Sequence, residues 1–278
     1  MTFSARPRKR FGQHWLKSDH ILSQIIEAAA LSAGDRVLEI GPGTGLLTQR
    51  LLTQAGQVVA IEIDRDLSRQ LQQQFAEANN FRLLQGDILQ LDWATVAAAT
   101  DNGRLPNKVV ANIPYYITGP ILERLLGTIA RPHLPPFTAI VLLVQKEIAD
   151  RLCAKAGSKT VGGLTIRMQY LAECEVVCPV PAKAFQPPPK VASAVVRLRP
   201  RPFVQAADHP ALLERLLKLG FGSKRKMLRN NLSPLIERSP LLDLLAELDI
   251  ADNVRAEDLS VAEWVALSNK MLKKGYSS

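Results

Sequence analysis

Short apolar runs alternate with amphipathic stretches through the first half of the chain. Apolar runs of four to six residues predict buried strands, and apolar residues spaced by three and four predict helices. Strands separated by helices are typical of βαβ units, so we expect an α/β protein with a mostly parallel, Rossmann-like sheet. The predicted strands lie at residues 37–40, 58–63, 81–84, 108–111 and 139–144, and the predicted helices at residues 46–52 and 66–78.

The pattern changes after residue 160. Strand-like runs at residues 164–170, 175–180 and 194–198 have few helical intervals between them, which predicts an antiparallel edge that closes the sheet. Beyond the Pro-rich residues 199–202, leucines recur at helical spacing. We therefore predict a catalytic domain over residues 1–202 and a small all-helical C-terminal domain over residues 203–278.

Composition narrows the class of protein. The 278 residues are 47% hydrophobic and 22% charged, which excludes a disordered chain, a collagen and a disulfide scaffold. No apolar run approaches the ~20 residues that a membrane helix needs. The three cysteines, Cys153, Cys174 and Cys178, have neither zinc-site nor redox-motif spacing. We expect a cytoplasmic monomer that holds no metal and contacts no membrane.

The net charge of +9 is concentrated at the two ends of the chain. Residues 1–20 carry +4, residues 21–180 carry −1, and residues 181–278 carry +6. Basic ends on a nearly neutral middle favour contact with a polyanion such as nucleic acid. Candidate phosphate contacts are Arg8, Lys9 and Arg10 near the start and Lys224, Arg225, Lys226 and Arg229 near the end, although such clusters are often only solvated surface.

A glycine-rich segment lies between the first predicted strand and its helix. Gly41, Gly43 and Gly45 allow the backbone to turn sharply and to approach a ligand at a helix N-terminus. Glu62 ends the next strand, 21 residues after Gly41, where a carboxylate can accept both hydroxyls of a ribose. These features alone would also suit a nicotinamide-dependent dehydrogenase.

Three details favour S-adenosylmethionine over a dinucleotide. Leu46 occupies the position where a third helical glycine would be expected. Glu39 would repel a pyrophosphate but attract a cationic amino-acid moiety. Asp87, after a third strand, offers a carboxylate to an adenine amine. The alternative is a capping loop among scattered surface acids, but Glu39, Glu62 and Asp87 all fall at carboxyl ends of predicted strands, where open α/β sheets bind ligands.

The fourth predicted strand ends in Asn112, Ile113, Pro114 and Tyr115. An adenine amine is a poor nucleophile because its lone pair is delocalised into the ring. The Asn112 amide oxygen and the Ile113 carbonyl can accept its two hydrogens, while Pro114 stiffens the turn and Tyr115 offers a ring face for stacking. Such a pocket admits only an extruded or single-stranded base.

These motifs together resemble the KsgA-type family of ribosomal RNA small-subunit adenine N6,N6-dimethyltransferases. The resemblance extends over nearly the whole chain and is most specific in two stretches, residues 185–195 around Pro189, Lys190, Val191, Ser193, Ala194 and Val195, and residues 224–232, which include Arg229, Asn230, Asn231 and Leu232. It implies transfer of two methyl groups from S-adenosylmethionine to each of two adjacent adenosines. These adenosines lie in the 3′-terminal hairpin of small-subunit (16S) ribosomal RNA, so the partner would be that RNA or a precursor of the small subunit.

The resemblance also implies roles for individual residues. Gly41, Glu62, Asp87 and Asn112 would contact S-adenosylmethionine, and Phe185 would face Tyr115 across the target adenine. The segment after Gln13 usually reads Asn-Phe-Leu in the family and contacts the cofactor; here it reads His14, Trp15 and Leu16. His14 and Leu16 are therefore candidate contacts, although His14 is a departure and Phe185 could be an ordinary core residue.

Two other functions share parts of this pattern. A DNA adenine or protein glutamine methyltransferase uses a similar strand end, but the basic N-terminal arm and the helical tail resemble neither. A ribosome-assembly or transcription factor could keep the fold without turnover. Loss of Glu62, Asp87 or Asn112 would indicate such a loss of catalytic activity, and all three residues are present.

Overall fold

The structure is a computed structural model that describes residues 13–276. The strands are β1 (Trp15–Leu16), β2 (Arg36–Ile40), β3 (Gln57–Glu62), β4 (Phe81–Gln85), β5 (Lys108–Asn112), β6 (Ala139–Gln145), β7 (Ala172–Val180), β8 (Phe185–Gln186) and β9 (Ser193–Pro200). The helices are α1 (Asp19–Ala29), α2 (Leu46–Leu52), α3 (Arg65–Gln74), α4 (Trp93–Ala98), α5 (Thr118–Leu126), α6 (Lys146–Leu152), α7 (Gly163–Leu171), α8 (Pro210–Gly220), α9 (Leu228–Asn231), α10 (Arg238–Ala246) and α11 (Val261–Lys273). Short 3₁₀ turns lie at Tyr115–Ile117, Ala182–Ala184 and Ala256–Asp258.

The central sheet confirms the predicted α/β architecture. Within residues 13–276 it has seven strands in the order β4-β3-β2-β5-β6-β9-β7. Strands β2 to β6 run parallel, and β9 is antiparallel to β6, which confirms the predicted antiparallel closure. A separate pair, β1 and β8, joins Trp15 to Gln186 and Leu16 to Phe185 in antiparallel register.

The strands and helices form because their apolar positions match the faces that they bury. All six residues of β3 and the middle five of β6 are buried, as expected for strands covered on both sides. Helix α1 begins at Asp19 and is capped by Ser18, whose hydroxyl accepts the Ile21 N–H. The helix buries an apolar stripe of Ile21, Leu22, Ile25 and Ile26.

The described residues group into two compact units. The first comprises residues 13–125, 135–149 and 175–200, and the second comprises residues 126–134, 150–174 and 201–276. The chain passes from the first unit to the second for the last time after residue 200, near the boundary predicted at residue 202. Two earlier segments nevertheless belong with the C-terminal helices, a grouping that no local pattern indicated. No helix in residues 13–276 is long and apolar enough to cross a membrane.

The strand predicted at residues 164–170 is wrong, because these residues form most of α7. Apolar Ile166, Met168 and Tyr170 alternate with Arg167 and Gln169, which resembles the period of a strand. In the helix, Gln169 points inward and donates to the carbonyls of residues 152 and 154, both at 2.9 Å. A helix that packs on several sides lacks a clear 3.6-residue apolar stripe, and this explains the error.

The core of the second unit depends on one glycine and one asparagine. Trp264 of α11 is fully buried, and a Cβ on Gly220 would lie 2.4 Å from its ring, so α8 needs glycine at this crossing. Nδ2 of Asn231 donates to the carbonyls of Gly220 at 2.6 Å and Ser223 at 2.9 Å. Asn231 thus holds the turn after α8 against α9.

We predict that Asn231→Ala destabilises the second unit by about 2–4 kcal/mol, because two carbonyls lose their donor in a mostly buried site. Asn230→Ala is the matched control, since Asn230 is the exposed neighbour of Asn231 in the same short helix. Urea unfolding of both variants checks the prediction. Equal midpoints for the two variants would contradict it.

Candidate active site

A cavity of about 170 Å³ lies in the first unit at the carboxyl ends of β2, β3, β4 and β5. The order of the sheet reverses between β2 and β5, which is where open α/β sheets form a ligand crevice. We call this space the sheet-edge cavity. It is lined by Gln13, His14, Trp15, Ile40, Gly41, Gly43, Ile61, Glu62, Ile63, Gly86, Asp87, Ile88, Leu89 and residues 112–117.

The glycine-rich loop after β2 forms one wall. Gly43 has a φ of +61°, and a Cβ there would lie 3.2 Å from Cδ1 of Trp15, so glycine is needed for both conformation and space. Gly45 also has a positive φ, but it is not part of the cavity lining. A Cβ on Gly45 would lie 2.8 Å from the Phe75 ring, so the structure gives this predicted cofactor contact a packing role between α2 and α3.

Glu62 lies at the end of β3 and is almost completely buried. Its two carboxylate oxygens accept the backbone N–H groups of Gly43 at 3.3 Å and Asp64 at 2.9 Å. Burial raises the pKa of Glu62, partly offset by these hydrogen bonds. The carboxylate is thus fixed in the cavity wall and keeps lone pairs for hydroxyl donors.

Asp87 follows β4 on the same wall. One of its carboxylate oxygens accepts the Leu89 N–H at 2.9 Å, and the preceding residue, Gly86, donates its N–H to the Glu62 carbonyl at 2.9 Å. Asp87 is partly exposed to the cavity. Glu62 and Asp87, two of the three predicted strand-end acids, therefore line the same cavity.

Glu39 is 1% exposed and borders a smaller space of about 30 Å³ beside the sheet-edge cavity. We call this space the Glu39 chamber; its lining also includes Leu16, Gly41, Gly43 and Asn112. Thr48 donates its hydroxyl to Glu39 at 2.7 Å. Burial, with a smaller contribution from the nearby Glu62 carboxylate, raises the pKa of Glu39 to about 8.

The turn after β5 supplies the wall opposite the acids. Nδ2 of Asn112 donates to the backbone carbonyl of His14 at 3.1 Å, which leaves the amide oxygen to accept hydrogen bonds. Pro114 begins the 3₁₀ turn that carries Tyr115. The Tyr115 hydroxyl lies 2.5 Å from the hydroxyl of Ser193 at the start of β9.

His14 lies in the cavity lining, but its side chain makes a contact that the sequence did not indicate. Nδ1 donates to the Pro187 carbonyl at 2.8 Å, and the ring stacks on Tyr115 with centroids 6.1 Å apart. Its backbone carbonyl, not its imidazole, is the group that contacts Asn112. Sequence reasoning assigned no role to Trp15, Pro187 or Ser193, whose contacts join segments distant along the chain.

Phe185 does not reach the cavity. It is 1% exposed within the apolar core of the first unit and is paired with Leu16 through β8 and β1. The structure therefore places Phe185 in the core cluster against which Tyr115 also packs, and not in the cavity lining. The main chain of β8 fixes the side of the strand on which its ring packs.

The predicted phosphate contacts separate into three groups. Arg8, Lys9 and Arg10 lie outside the described residues. Lys224, Arg225 and Lys226 are exposed in the turn before α9, and we call these three the basic turn. Arg229 differs, because its side chain is 15% exposed and bonds to the carbonyl of Asp252 at 2.6 Å and its carboxylate at 3.3 Å.

Comparison with known proteins gives one consistent result. A family model described as "Ribosomal RNA adenine dimethylase" matches residues 4–273. A protein of Nostoc sp. named "Ribosomal RNA small subunit methyltransferase A" is 58% identical over 264 residues, which cover 95% of this chain and 97% of that protein. A protein of the same name from Synechococcus elongatus is 57% identical over 94% of this chain and 93% of its own.

Two solved structures share the fold over nearly the full chain. A dimethyladenosine transferase from Plasmodium falciparum matches with a TM-score of 0.80 and 30% identity, covering 95% of this chain and 99% of that one. The 23S rRNA methyltransferase ErmE matches with a TM-score of 0.72 and 26% identity, covering 92% and 98%. The cavity, its strand-end acids and these matches agree: the chain belongs to the ribosomal RNA adenine dimethylase family.

Proposed function

We propose that the protein uses S-adenosylmethionine to dimethylate N6 of two adjacent adenosines in the 3′-terminal hairpin of small-subunit ribosomal RNA, during small-subunit assembly in the cytoplasm. One observation carries the proposal: Glu62, Asp87 and the turn of residues 112–115 line the same cavity. Membership of an adenine dimethylase family favours RNA over DNA or protein as the substrate. The high identity to small-subunit methyltransferases favours small-subunit over large-subunit RNA.

The residues present fit S-adenosylmethionine. Buried carboxyls at Glu39 and Glu62 suit a ligand with cationic and hydroxyl groups, and Asp87 suits an adenine amine. The Trp15 indole N–H adds a donor, because it is buried in the cavity wall with no hydrogen-bond partner. Glu62 would hold the ribose, Asp87 the adenine, and the loop at Gly41 the amino-acid moiety near Glu39. When bound, the cofactor supplies an electrophilic methyl group on a sulfonium.

The chain's own residues orient the nucleophile. The Asn112 amide oxygen and the Ile113 carbonyl accept the two amine hydrogens of the target adenine, which turns the nitrogen lone pair toward the cofactor side of the cavity. The Tyr115 ring stacks on the base. No strong base is needed, since the amine loses its proton readily once it is alkylated.

The deciding experiment maps methyl transfer. Incubation with labelled S-adenosylmethionine and undermethylated small subunits is expected to place label on two adjacent adenosines of the terminal hairpin.

Asn112→Ala is expected to lower the rate of methyl transfer by about 10²–10³-fold, because the adenine amine loses a preorganised acceptor. The midpoint of thermal unfolding, followed by circular dichroism, serves as the control for folding, because Asn112 is itself a candidate cofactor contact. Turnover within a few-fold of the parent would remove Asn112 from this role.

Cofactor binding is predicted to release a proton from Glu39. The carboxyl faces the Thr48 hydroxyl and the Glu62 carboxylate, and with a pKa of about 8 it is mostly protonated at pH 7. A bound cation favours the charged form, so affinity should rise with pH up to about 8. Calorimetry in two buffers of different ionisation enthalpy counts the released protons.

Glu39→Gln is the matched variant because it keeps the shape and cannot ionise. Its affinity for the cofactor should not vary with pH in the way expected for the parent.

In the ligand-free protein, the raised pKa of Glu39 means that the folded state holds a proton that the unfolded chain has lost between pH 4.5 and about 8. The free energy of unfolding should therefore fall as pH rises through this range, and less so in Glu39→Gln. Equal proton release by parent and variant would assign the proton to another group.

The basic turn is proposed to contact RNA phosphates. Replacing Lys224, Arg225 and Lys226 with Gln is expected to weaken subunit binding and to lower the slope of log affinity against log salt by about two to three units. Arg229→Gln should leave that slope unchanged and lower stability, because Arg229 is bound to Asp252. An unchanged slope in the triple variant would make the turn a solvated surface and move phosphate contact to the arm of Arg8, Lys9 and Arg10.

A further inference from the structure

The Pro-rich segment of residues 187–193 has no role in the function described so far, although it is among the most distinctive stretches of the sequence. It joins β8 to β9, and each of its ends contacts an aromatic residue in the lining of the sheet-edge cavity. The Pro187 carbonyl binds the His14 ring, and the Ser193 hydroxyl binds the Tyr115 hydroxyl.

Ser193 is held firmly by the sheet. It is fully buried, it is the first residue of β9, and it lies opposite Gln145 in the antiparallel ladder with β6. The Lys146 N–H donates to the Ala192 carbonyl at 2.9 Å, which continues the pairing past the strand end. The hydroxyl of Ser193 is therefore a fixed point relative to the strands that carry the cavity.

Tyr115 lies on a 3₁₀ turn and not on a strand. A ring on such a short turn can pivot about χ1 and χ2 unless its far end is bound. The Ser193 hydroxyl binds that far end at 2.5 Å, and His14 packs on the ring with an interplanar angle of 19°. These two contacts fix the tilt of the ring.

We propose that Ser193 is a positioning residue for adenine methylation, which fixes the Tyr115 ring through its hydroxyl so that the ring face is presented to the extruded base. The proposal rests on the proposed function, since it assumes that the target base stacks on Tyr115. It gives the Tyr115 hydroxyl an anchoring role and no part in proton transfer. Burial raises the pKa of the Tyr115 phenol further above neutral, so the hydroxyl stays uncharged and available for this hydrogen bond.

The test is a double-mutant cycle of Ser193→Ala, Tyr115→Phe and both together. Tyr115→Phe keeps the ring and removes only the oxygen, so it tests the same bond from the other side. Each single variant is expected to lower kcat/KM for RNA about three- to tenfold, which is the effect of one hydrogen bond. The double variant should lose no more than either single variant, because both substitutions break one bond.

Three further measurements separate positioning from general stability. The affinity for S-adenosylhomocysteine should stay at the parental value in all three variants. The pH–rate profile should keep its shape in Tyr115→Phe. An RNA hairpin with 2-aminopurine at the target position should show weaker quenching on binding to Ser193→Ala than on binding to the parent, since a tilted ring stacks less well.

Thr100→Val is the matched control for loss of a buried hydroxyl. The Thr100 hydroxyl oxygen lies 2.7 Å from the main-chain carbonyls of residues 97 and 104, to either of which it can donate its one hydrogen, and it lies outside the lining of the sheet-edge cavity. This variant should lower the unfolding midpoint without changing kcat/KM or the 2-aminopurine signal.

If the loss of kcat/KM in the double variant equals the product of the losses in the two single variants, the proposal is overturned, because Ser193 would then act separately from Tyr115. A changed pH–rate profile in Tyr115→Phe would assign the phenol to proton transfer. If Ser193→Ala fails to fold, parental kcat/KM in Tyr115→Phe alone would still refute a role for the bond. Absence of methyl transfer by the parent is a separate result, which refutes the proposed function itself.

Discussion

The reversal of strand order between β2 and β5 is the constraint on which the rest of the site depends. Chain connections run in opposite directions from these two neighbouring strands, so the loops after them diverge and leave a crevice. The loop after β2 brings Gly41 and Gly43 to one side, and the turn after β5 brings Asn112 and Tyr115 to the other. Glu62 and Asp87 join them because parallel strands end at the same edge.

Buried carboxyls are the electrostatic consequence of this geometry. Glu39 and Glu62 are both desolvated, and the Glu62 charge contributes to the raised pKa of Glu39. The hydrogen bonds that they accept come from the Thr48 hydroxyl and from backbone N–H groups. Neither of these two carboxyls has a basic partner among the ion pairs described for residues 13–276. An arrangement that is unfavourable for the ligand-free fold becomes favourable when a cationic group enters.

The sequence predicted those parts of the structure that local patterns determine. The strands β2 to β6 and the antiparallel β9 follow from apolar runs, and the strand-end acids follow from their positions after those runs. The prediction was wrong where tertiary packing overrides the pattern. Helix α7 alternates like a strand because it packs on several sides.

The contacts that complete the site could not be predicted because they join distant segments. His14 and Pro187 are 173 positions apart, and Tyr115 and Ser193 are 78 apart. Phe185 is a related case: the family resemblance implies a place beside the target adenine, and the structure buries its ring in the core, where β8 pairs with β1. A side chain's direction is set by strand pairing, which one sequence does not specify.

The same pairing makes the contact to Asn112 independent of the side chain at residue 14. Asn112 is held by the backbone carbonyl of His14, and a main-chain acceptor is present whatever the side chain. The position of that carbonyl is set by β1, which pairs with β8 at the adjacent residues Trp15 and Leu16. The His14 side chain instead stacks on Tyr115 and binds the Pro187 carbonyl. A function carried by the main chain thus permits side-chain change within an otherwise constrained site.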